Sequence, residues 1–311
     1  MEDFQALFKK FQQIKVGVIG DVMLDTYMWG SVERISPEAP VPIVSLQKKE
    51  QRIGGAGNVA LNLQSLGAKA YVISVTGDDE DAQKLNALFE ENKIDTKYSV
   101  ASTKRMTTNK TRVICRNQQM MRLDAEITAD LIMEEEQILL DRFESFIAKE
   151  KPHIVVLSIC KQAGVLTAVD PKRKNFFEYE GADLFKPNLK EVKEALNLLF
   201  TEADYTLLKN IHLQLQHLLH HKVSFITLSD KGVFYANGQS GIIPSHLRNI
   251  ADVSGAGDTV IAVAALVYAA TQNIFLMAEI ANIAGGMVCE EVGTAAVDAH
   301  KLLHECELLL C

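Results

Sequence analysis

Apolar residues in this chain come in short unbroken blocks separated by longer amphipathic stretches. The blocks Lys15-Val16-Gly17-Val18-Ile19, residues 70–75, 153–157 and 165–170, and Val223-Ser224-Phe225-Ile226-Thr227-Leu228 show little polar alternation. Such blocks read as strands buried on both faces, the mark of a mostly parallel sheet covered by helices. Between them the period changes to that of helices, over residues 4–11, 81–92, 129–150, 189–199 and 276–290. A run from Val260 to Tyr268 is apolar on every face and predicts a helix at the centre of the core. Residues 212–221 carry four histidines among leucines and read as a helix with its histidines on the wet side. A short strand around residues 182–186 ends in a Pro187-Asn188 turn. A strand, turn and second strand span residues 223–235.

Two stretches break this βα rhythm. Ile35-Ser36-Pro37-Glu38-Ala39-Pro40-Val41-Pro42 cannot be helical, and a strand follows it; residues 107–115 alternate as a second β stretch. The fold predicted is a doubly wound α/β domain over residues 1–311, helices on both faces. A small β lid is added from about 26–50 and 101–124. One place resists the pattern. Only residues 158–164 separate two blocks that should be parallel neighbours, where a crossover takes about a dozen residues or more. Either the sheet is rearranged there or a segment is absent.

Composition narrows the function. A formal net charge of −8 argues against a nucleic-acid binder. Five scattered cysteines without ligand spacing read as reduced thiols in a cytoplasmic protein. The acidic start Met1-Glu2-Asp3 lacks a signal-peptide pattern, and no uninterrupted apolar stretch reaches membrane-spanning length.

The candidate chemistry sits in turns. In Asp252-Val253-Ser254-Gly255-Ala256-Gly257-Asp258-Thr259, small residues lead into the buried helix, whose first N–H groups and dipole suit an anion. Asp258 reads either as an N-cap or as a base taking a proton from an attacking hydroxyl. Asp21 and Asp25 follow the first strand, where open sheets bind ligands, and suit sugar hydroxyls or simply solvent. Gly54-Gly55-Ala56-Gly57-Asn58 contains a Gly-x-Gly-x-x-Ala pattern. The dinucleotide fingerprint needs a buried strand before it, and Lys48-Lys49-Glu50-Gln51-Arg52 is not one. A turn presenting bare backbone and Asn58 to a polyhydroxyl ligand is the alternative. Lys110 and Arg112 share a face, with Arg116 and Arg122 nearby; they read as a phosphate clamp or as solvated lid surface. Asn188 and Glu191 have the spacing of a helix cap, and the same spacing reaches a hydrated magnesium ion. No Gly-x-x-x-x-Gly-Lys-Ser/Thr pattern occurs, which excludes a P-loop enzyme by pattern.

The Gly-Gly-x-Gly-Asn turn and the Asp-x-x-Gly-Ala-Gly-Asp loop, in this order, resemble the two signatures of the PfkB (ribokinase-like) carbohydrate kinases. The resemblance covers nearly the whole chain. It implies that Asp258 is the base and that Gly255, Ala256 and Gly257 hold the developing charge on the γ-phosphate. Asp21, Asp25, Gly54, Gly55 and Asn58 would bind sugar. Asn188 and Glu191 would organise Mg2+ and phosphate, and Thr227, Ser229, Gly232 and Asn282 would hold ATP. Asp252 would belong to the loop at which some members use a monovalent cation such as K+.

Within the family, residues 34–42 and 116–124 look like the lid of the kinase domain of ADP-heptose synthesis. The implied reaction is phosphorylation of D-glycero-D-manno-heptose 7-phosphate at its anomeric hydroxyl, serving lipopolysaccharide synthesis, with Lys110 and Arg112 on the substrate's phosphate. Alternatives are another PfkB kinase, phosphofructokinase-like, or a catalytically dead sensor; relatives carry Asp-Tyr-x-Lys-Gly and a helix where Ile159-Cys160-Lys161 stands. The chain ends at Cys311, so the kinase alone is expected. Sugar phosphate and ATP are its expected partners, without nucleic acid or membrane, and relatives commonly dimerise through the lid.

Overall fold

The computed structural model describes residues 3–116, 118–157 and 165–310. In chain order the strands are β1 Lys15–Ile19, β2 Val22–Ile35, β3 Pro42–Gly55, β4 Lys69–Ile73, β5 Val75–Gly77, β6 Val100–Ser102 and β7 Asn109–Cys115. They continue with β8 Gln118–Ala125, β9 Ile154–Leu157, β10 Leu166–Val169, β11 Leu184–Phe185, β12 Val223–Thr227, β13 Val233–Asn237 and β14 Gln239–Ile243. The α-helices are α1 Phe4–Phe11, α2 Ala56–Ser65, α3 Glu80–Glu91, α4 Met133–Glu150, α5 Leu189–Ala195, α6 Tyr205–Leu219, α7 Ala256–Thr271, α8 Ile274–Val288 and α9 Ala299–Leu310.

The main sheet has the order β14-β13-β12-β11-β10-β9-β1-β4, parallel from β4 through β12 and antiparallel beyond. From β1 the chain first builds outward to β4 and later returns to β9 on β1's other side. That reversal opens a crevice beyond the strand ends, where ligands bind in open α/β sheets. Alternation along the strands feeds two cores. Val16 and Val18 point into the core made with α1, α2, α7 and α8, while Ile19 joins the one made with α4, α5 and α6. Gly17 faces the second core, where an added Cβ would stand 2.5 Å from Phe146 Cε1. The Val260–Tyr268 run is buried throughout in α7, as its unbroken apolarity requires.

The lid is a sheet of order β3-β2-β7-β8. Its strands run past the expected limits, because β2 and β3 pair from Val22 and Gly55 to Ile35 and Pro42. Lys48 to Arg52 do form a strand, but a solvent-flanked lid strand and not the buried one that a dinucleotide site needs. β9 and β10 are parallel neighbours in full register despite their short connection. The expected rearrangement or deletion itself falls on residues 158–164, outside the described residues. One expectation is overturned: the histidine helix does not keep all its histidines wet. His212 in α6 and His221, just past that helix's end, are buried, sharing the buried Ser224 hydroxyl at 2.8 and 2.6 Å. Among the described residues no helix is long and apolar enough to cross a membrane.

Candidate active site

Most of the candidate residues lie past the ends of β1, β11 and β12 and at the starts of α2, α5 and α7. Gly255 takes φ +80°, and an added Cβ would lie 2.8 Å from Asn58 Nδ2, so the turn into α7 needs glycine for both conformation and space. The turn sets Asp258 in the first turn of α7, where Asn58 Nδ2 donates to its Oδ2 at 3.1 Å. Burial pushes the Asp258 carboxyl up to about 6; the Asn58 hydrogen bond opposes this, nearby Asp170 adds to it, and Lys172 and Lys186 oppose it. A carboxylate so tuned is ionised near neutral pH yet basic enough to accept a proton from an alcohol. No side chain caps the start of α7, so the N-cap reading of Asp258 gives way to a carboxylate aimed elsewhere.

Asn58 is itself fixed. Asn62 Nδ2 donates to its carbonyl at 2.9 Å, while Thr259 Oγ1 and the Val297 N–H donate to Asn62 Oδ1 at 3.1 and 3.0 Å. All three polar side chains Asn58, Asn62 and Thr259 are fully buried. A buried, saturated network of this kind holds one geometry. Asn62 and Thr259 carry no motif of their own; their one signal is a polar residue inside an apolar helix face.

Of the residues expected to meet a sugar, Asp21 is exposed just past β1 and its carbonyl accepts from the Ala56 N–H at 2.9 Å. Asp25 is buried and ion-paired to Arg112 at 2.5 Å, and an added Cβ at Gly54 would collide with its carboxylate. Gly55 turns at φ +60° into α2. Arg112 also lies 5.3 Å over the Tyr27 ring; burial is the largest single influence on its pKa and lowers it, but the Asp25 partner's hydrogen bond and charge, with Tyr27 and Asp252, together outweigh it and raise the pKa. Lys110 pairs with Glu126 at 3.3 Å. Asp25, Tyr27, Lys110, Arg112 and Arg122 fall on one face of the lid by the strand register.

Asn188 and Glu191, expected near phosphate, form a full capping box, with bonds of 2.9 and 2.7 Å. Burial raises the Glu191 carboxyl, opposed by the Asn188 N–H and by Lys186 and Lys172. The sequence reading missed Lys186. It is buried, ion-paired to Asp170 at 2.9 Å, and its Nζ lies 4.0 Å from where a Cβ on Gly257 would be. A buried ammonium beside the first turn of a helix suits an anion, although Asp170 already balances its charge. Its position just past β11, on the same sheet edge as Asp21, was the available clue. The Ala256 N–H turns back to the Val253 carbonyl at 3.3 Å, whereas Gly257 stands open to solvent. Thr227 ends β12; Ser229 and Gly232 take φ +60° and +94°. Residues 243–245 lean on Gly232, and the Pro244 carbonyl accepts from Asn282 Nδ2 at 2.8 Å, bringing those separated residues to one wall.

The pfkB family carbohydrate kinase profile matches residues 13–301. The chain belongs to the pfkB family of carbohydrate kinases. It is 37% identical over 306 residues to the bifunctional protein HldE of Helicobacter hepaticus, covering 93% of this chain and 63% of that protein. It therefore spans less than two thirds of that relative's length. Among solved structures it resembles phosphofructokinase-2 from Escherichia coli in complex with substrates and products. The TM-score is 0.77 at 18% identity, over 94% of this chain and 99% of that one. The same enzyme in complex with potassium gives 0.76 at 17% identity, over 94% and 99%. Both establish the ribokinase-like fold. By its family the protein is an ATP-dependent carbohydrate kinase.

The family takes Mg2+ with its nucleotide. Among the described residues no three acidic, histidine or cysteine side chains converge into a direct cage. The free edge of Glu191 beside Asp170 and the capped Asn188 suit an ion that keeps its waters and leans on phosphate. A monovalent cation fits poorly. Asp252 Oδ1 accepts from the Ser254 N–H and Oγ, both at 2.9 Å, and Oδ2 from the Gly293 N–H at 2.9 Å. Burial is the largest single influence and raises its carboxyl, but these donors together outweigh it and hold the carboxyl below the usual range.

Proposed function

We propose that this kinase phosphorylates D-glycero-D-manno-heptose 7-phosphate at its anomeric hydroxyl, giving the 1,7-bisphosphate and ADP for ADP-heptose and lipopolysaccharide synthesis. The observation that carries the transfer step is Asp258, raised to about 6 and held by Asn58 at the start of α7. In this reading the anomeric oxygen attacks the γ-phosphorus as its proton passes to Asp258. The bond to the β-phosphate oxygen breaks and ADP leaves. The Gly255–Gly257 turn and Lys186 face the charge spread over the transferring phosphoryl oxygens. Asn188 and Glu191 would hold a hydrated Mg2+, which would supply charge neutralisation at the phosphates. Thr227, Ser229, Gly232 and Asn282 hold the nucleotide.

The lid supports the substrate. Asp21, Asp25, Gly54, Gly55 and Asn58 meet the sugar hydroxyls. Lys110, Arg112 and Arg122, on one lid face, give the 7-phosphate its cations. Exposed Ile35, Val41, Leu46, Met120, Met121 and Leu123 on the lid strands and their connection favour pairing with a second copy. A cytoplasmic location suits an enzyme that consumes ATP.

The test is ADP release with ATP and magnesium, offering heptose 7-phosphate, fructose 6-phosphate or ribose, beside Asp258→Asn. Turnover confined to the heptose and lost in the variant is expected. Preference for fructose 6-phosphate or ribose would retire the substrate, and binding without turnover would leave a sensor.

A further inference from the structure

Behind the Asp252–Asp258 loop lies a second loop, residues 289–294, and the two are joined by hydrogen bonds. The Ala251 and Asp252 N–H groups donate to the Cys289 carbonyl at 2.8 and 3.2 Å, and the Gly293 N–H donates to Asp252 at 2.9 Å. Loops that present carbonyl oxygens and a carboxylate side by side collect negative potential, which a bound alkali cation can balance. Here a cation of the chain's own reaches that place. Arg52, near the end of lid strand β3, directs Nη1 at the Val292 and Thr294 carbonyls, at 2.8 and 2.9 Å. Its Nε donates to Glu50 at 2.6 Å, and its guanidinium lies 5.1 Å over the Tyr27 ring. Tyr27 is buried, and its hydroxyl accepts from the Thr294 N–H at 3.1 Å. The packing is close on all sides: a Cβ at Gly293, where φ is +77°, would meet Tyr27 at 2.8 Å and Arg52 Nη1 at 3.0 Å. Thr294 Oγ1 is the loop's buried side-chain oxygen left without a partner, and one oxygen is not a coordination shell.

We infer that the Arg52 guanidinium is a tethered substitute for a monovalent cation, so that phosphoryl transfer by this enzyme does not depend on free K+. The inference rests on the kinase reading above. Arg52 acts through the loop and not on substrate. It steadies residues 292–294, which hold Asp252, whose bonds to Ser254 set the turn entering Gly255. Thr294 also closes on that turn, with its Cγ2 lying 3.2 Å from where a Cβ on Gly255 would stand. Because Arg52 follows directly on the lid face beside Tyr27, the same contact ties the sugar-binding lid to the anion turn. Positioning, and not a new charge at the phosphate, is the contribution.

The experiment compares the full chain and Arg52→Ala in potassium chloride and in tetramethylammonium chloride at equal ionic strength. Wild-type kcat should agree within about twofold between the salts, whereas Arg52→Ala should lose about tenfold or more in tetramethylammonium and recover in potassium or guanidinium. A role in folding alone would lower activity in every salt without cation-selective rescue, and that result would overturn the inference. So would strong stimulation of the wild type by K+, which needs no variant to be seen. Melting temperature in the same salts reads the loop without any substrate. Wild type should melt alike in both and Arg52→Ala should be raised selectively by K+, so the inference is tested even if no acceptor is turned over.

Discussion

Replacing Asp258 by Asn should abolish turnover and yet stabilise the fold. Its carboxyl moves from 3.8 to about 6 in the folded chain, chiefly by burial. Two units correspond to about 3 kcal/mol by which ionised Asp258 disfavours the native state. A raised carboxyl pKa contributes stability fully below pH 3.8, and that contribution is lost as pH rises through about 6. The first turn of α7 favours a negative charge by about 0.5 kcal/mol, which reduces the expected gain in Asp258→Asn to about 2–3 kcal/mol. Asn keeps a carbonyl oxygen for Asn58 Nδ2, so the hydrogen bond survives. Denaturant unfolding of both proteins at pH 7.5 and at pH 4 is the assay. The variant should be more stable at the higher pH, with the difference shrinking toward the lower. A variant less stable at pH 7.5, or a gain independent of pH, would refute the reasoning. In the wild type, kcat/KM should fall as pH drops below about 6, since the base is then protonated.

Other parts of the molecule make separate predictions. Glu150 receives Tyr71, Tyr98 and Lys97 at 2.6, 3.1 and 2.8 Å, with Lys15 at 3.4 Å, and its carboxyl is lowered to about 2, chiefly by Lys97 and then Tyr71. Its stabilisation is present above pH 4.5 and lost toward 2; Glu150→Gln should cost about 1–2 kcal/mol at pH 7 by urea unfolding, reduced by solvent at Lys97. Arg112→Met leaves Asp25 buried and unpaired, and should cost about 3 kcal/mol in stability and raise the sugar KM. Burial lowers His221 to about 4, so native stability should decline as pH falls from 6.5 toward 4, and His221→Gln should flatten that slope in a pH series of melting curves. Gly255→Ala forces a side chain into φ +80° and onto Asn58, and should lower kcat about a hundredfold with little change in substrate affinity.

The two glycine turns were legible in the chain because backbone conformation and close approach leave few residue choices, and both signatures are local. Buried blocks such as Lys15–Ile19 announced strands because each carries apolar side chains on both faces, as a strand covered by helices on both sides must. Strand β8 escaped notice because every residue in it is exposed, so no alternation marks it. The histidine helix misled because a leucine-rich period tells which face is buried, not whether a polar residue on that face finds a partner; Ser224 supplies one. What only the tertiary structure decided are pairings between distant segments. Lys186 is one charge among many until β10 and β11 align it with Asp170, and Arg52 meets Val292 across 240 positions of sequence. Local propensity and period fix where the chain turns and what it buries. Which charge faces which carbonyl depends on packing, because electrostatic partners are selected by proximity in space and carry no signature along the chain.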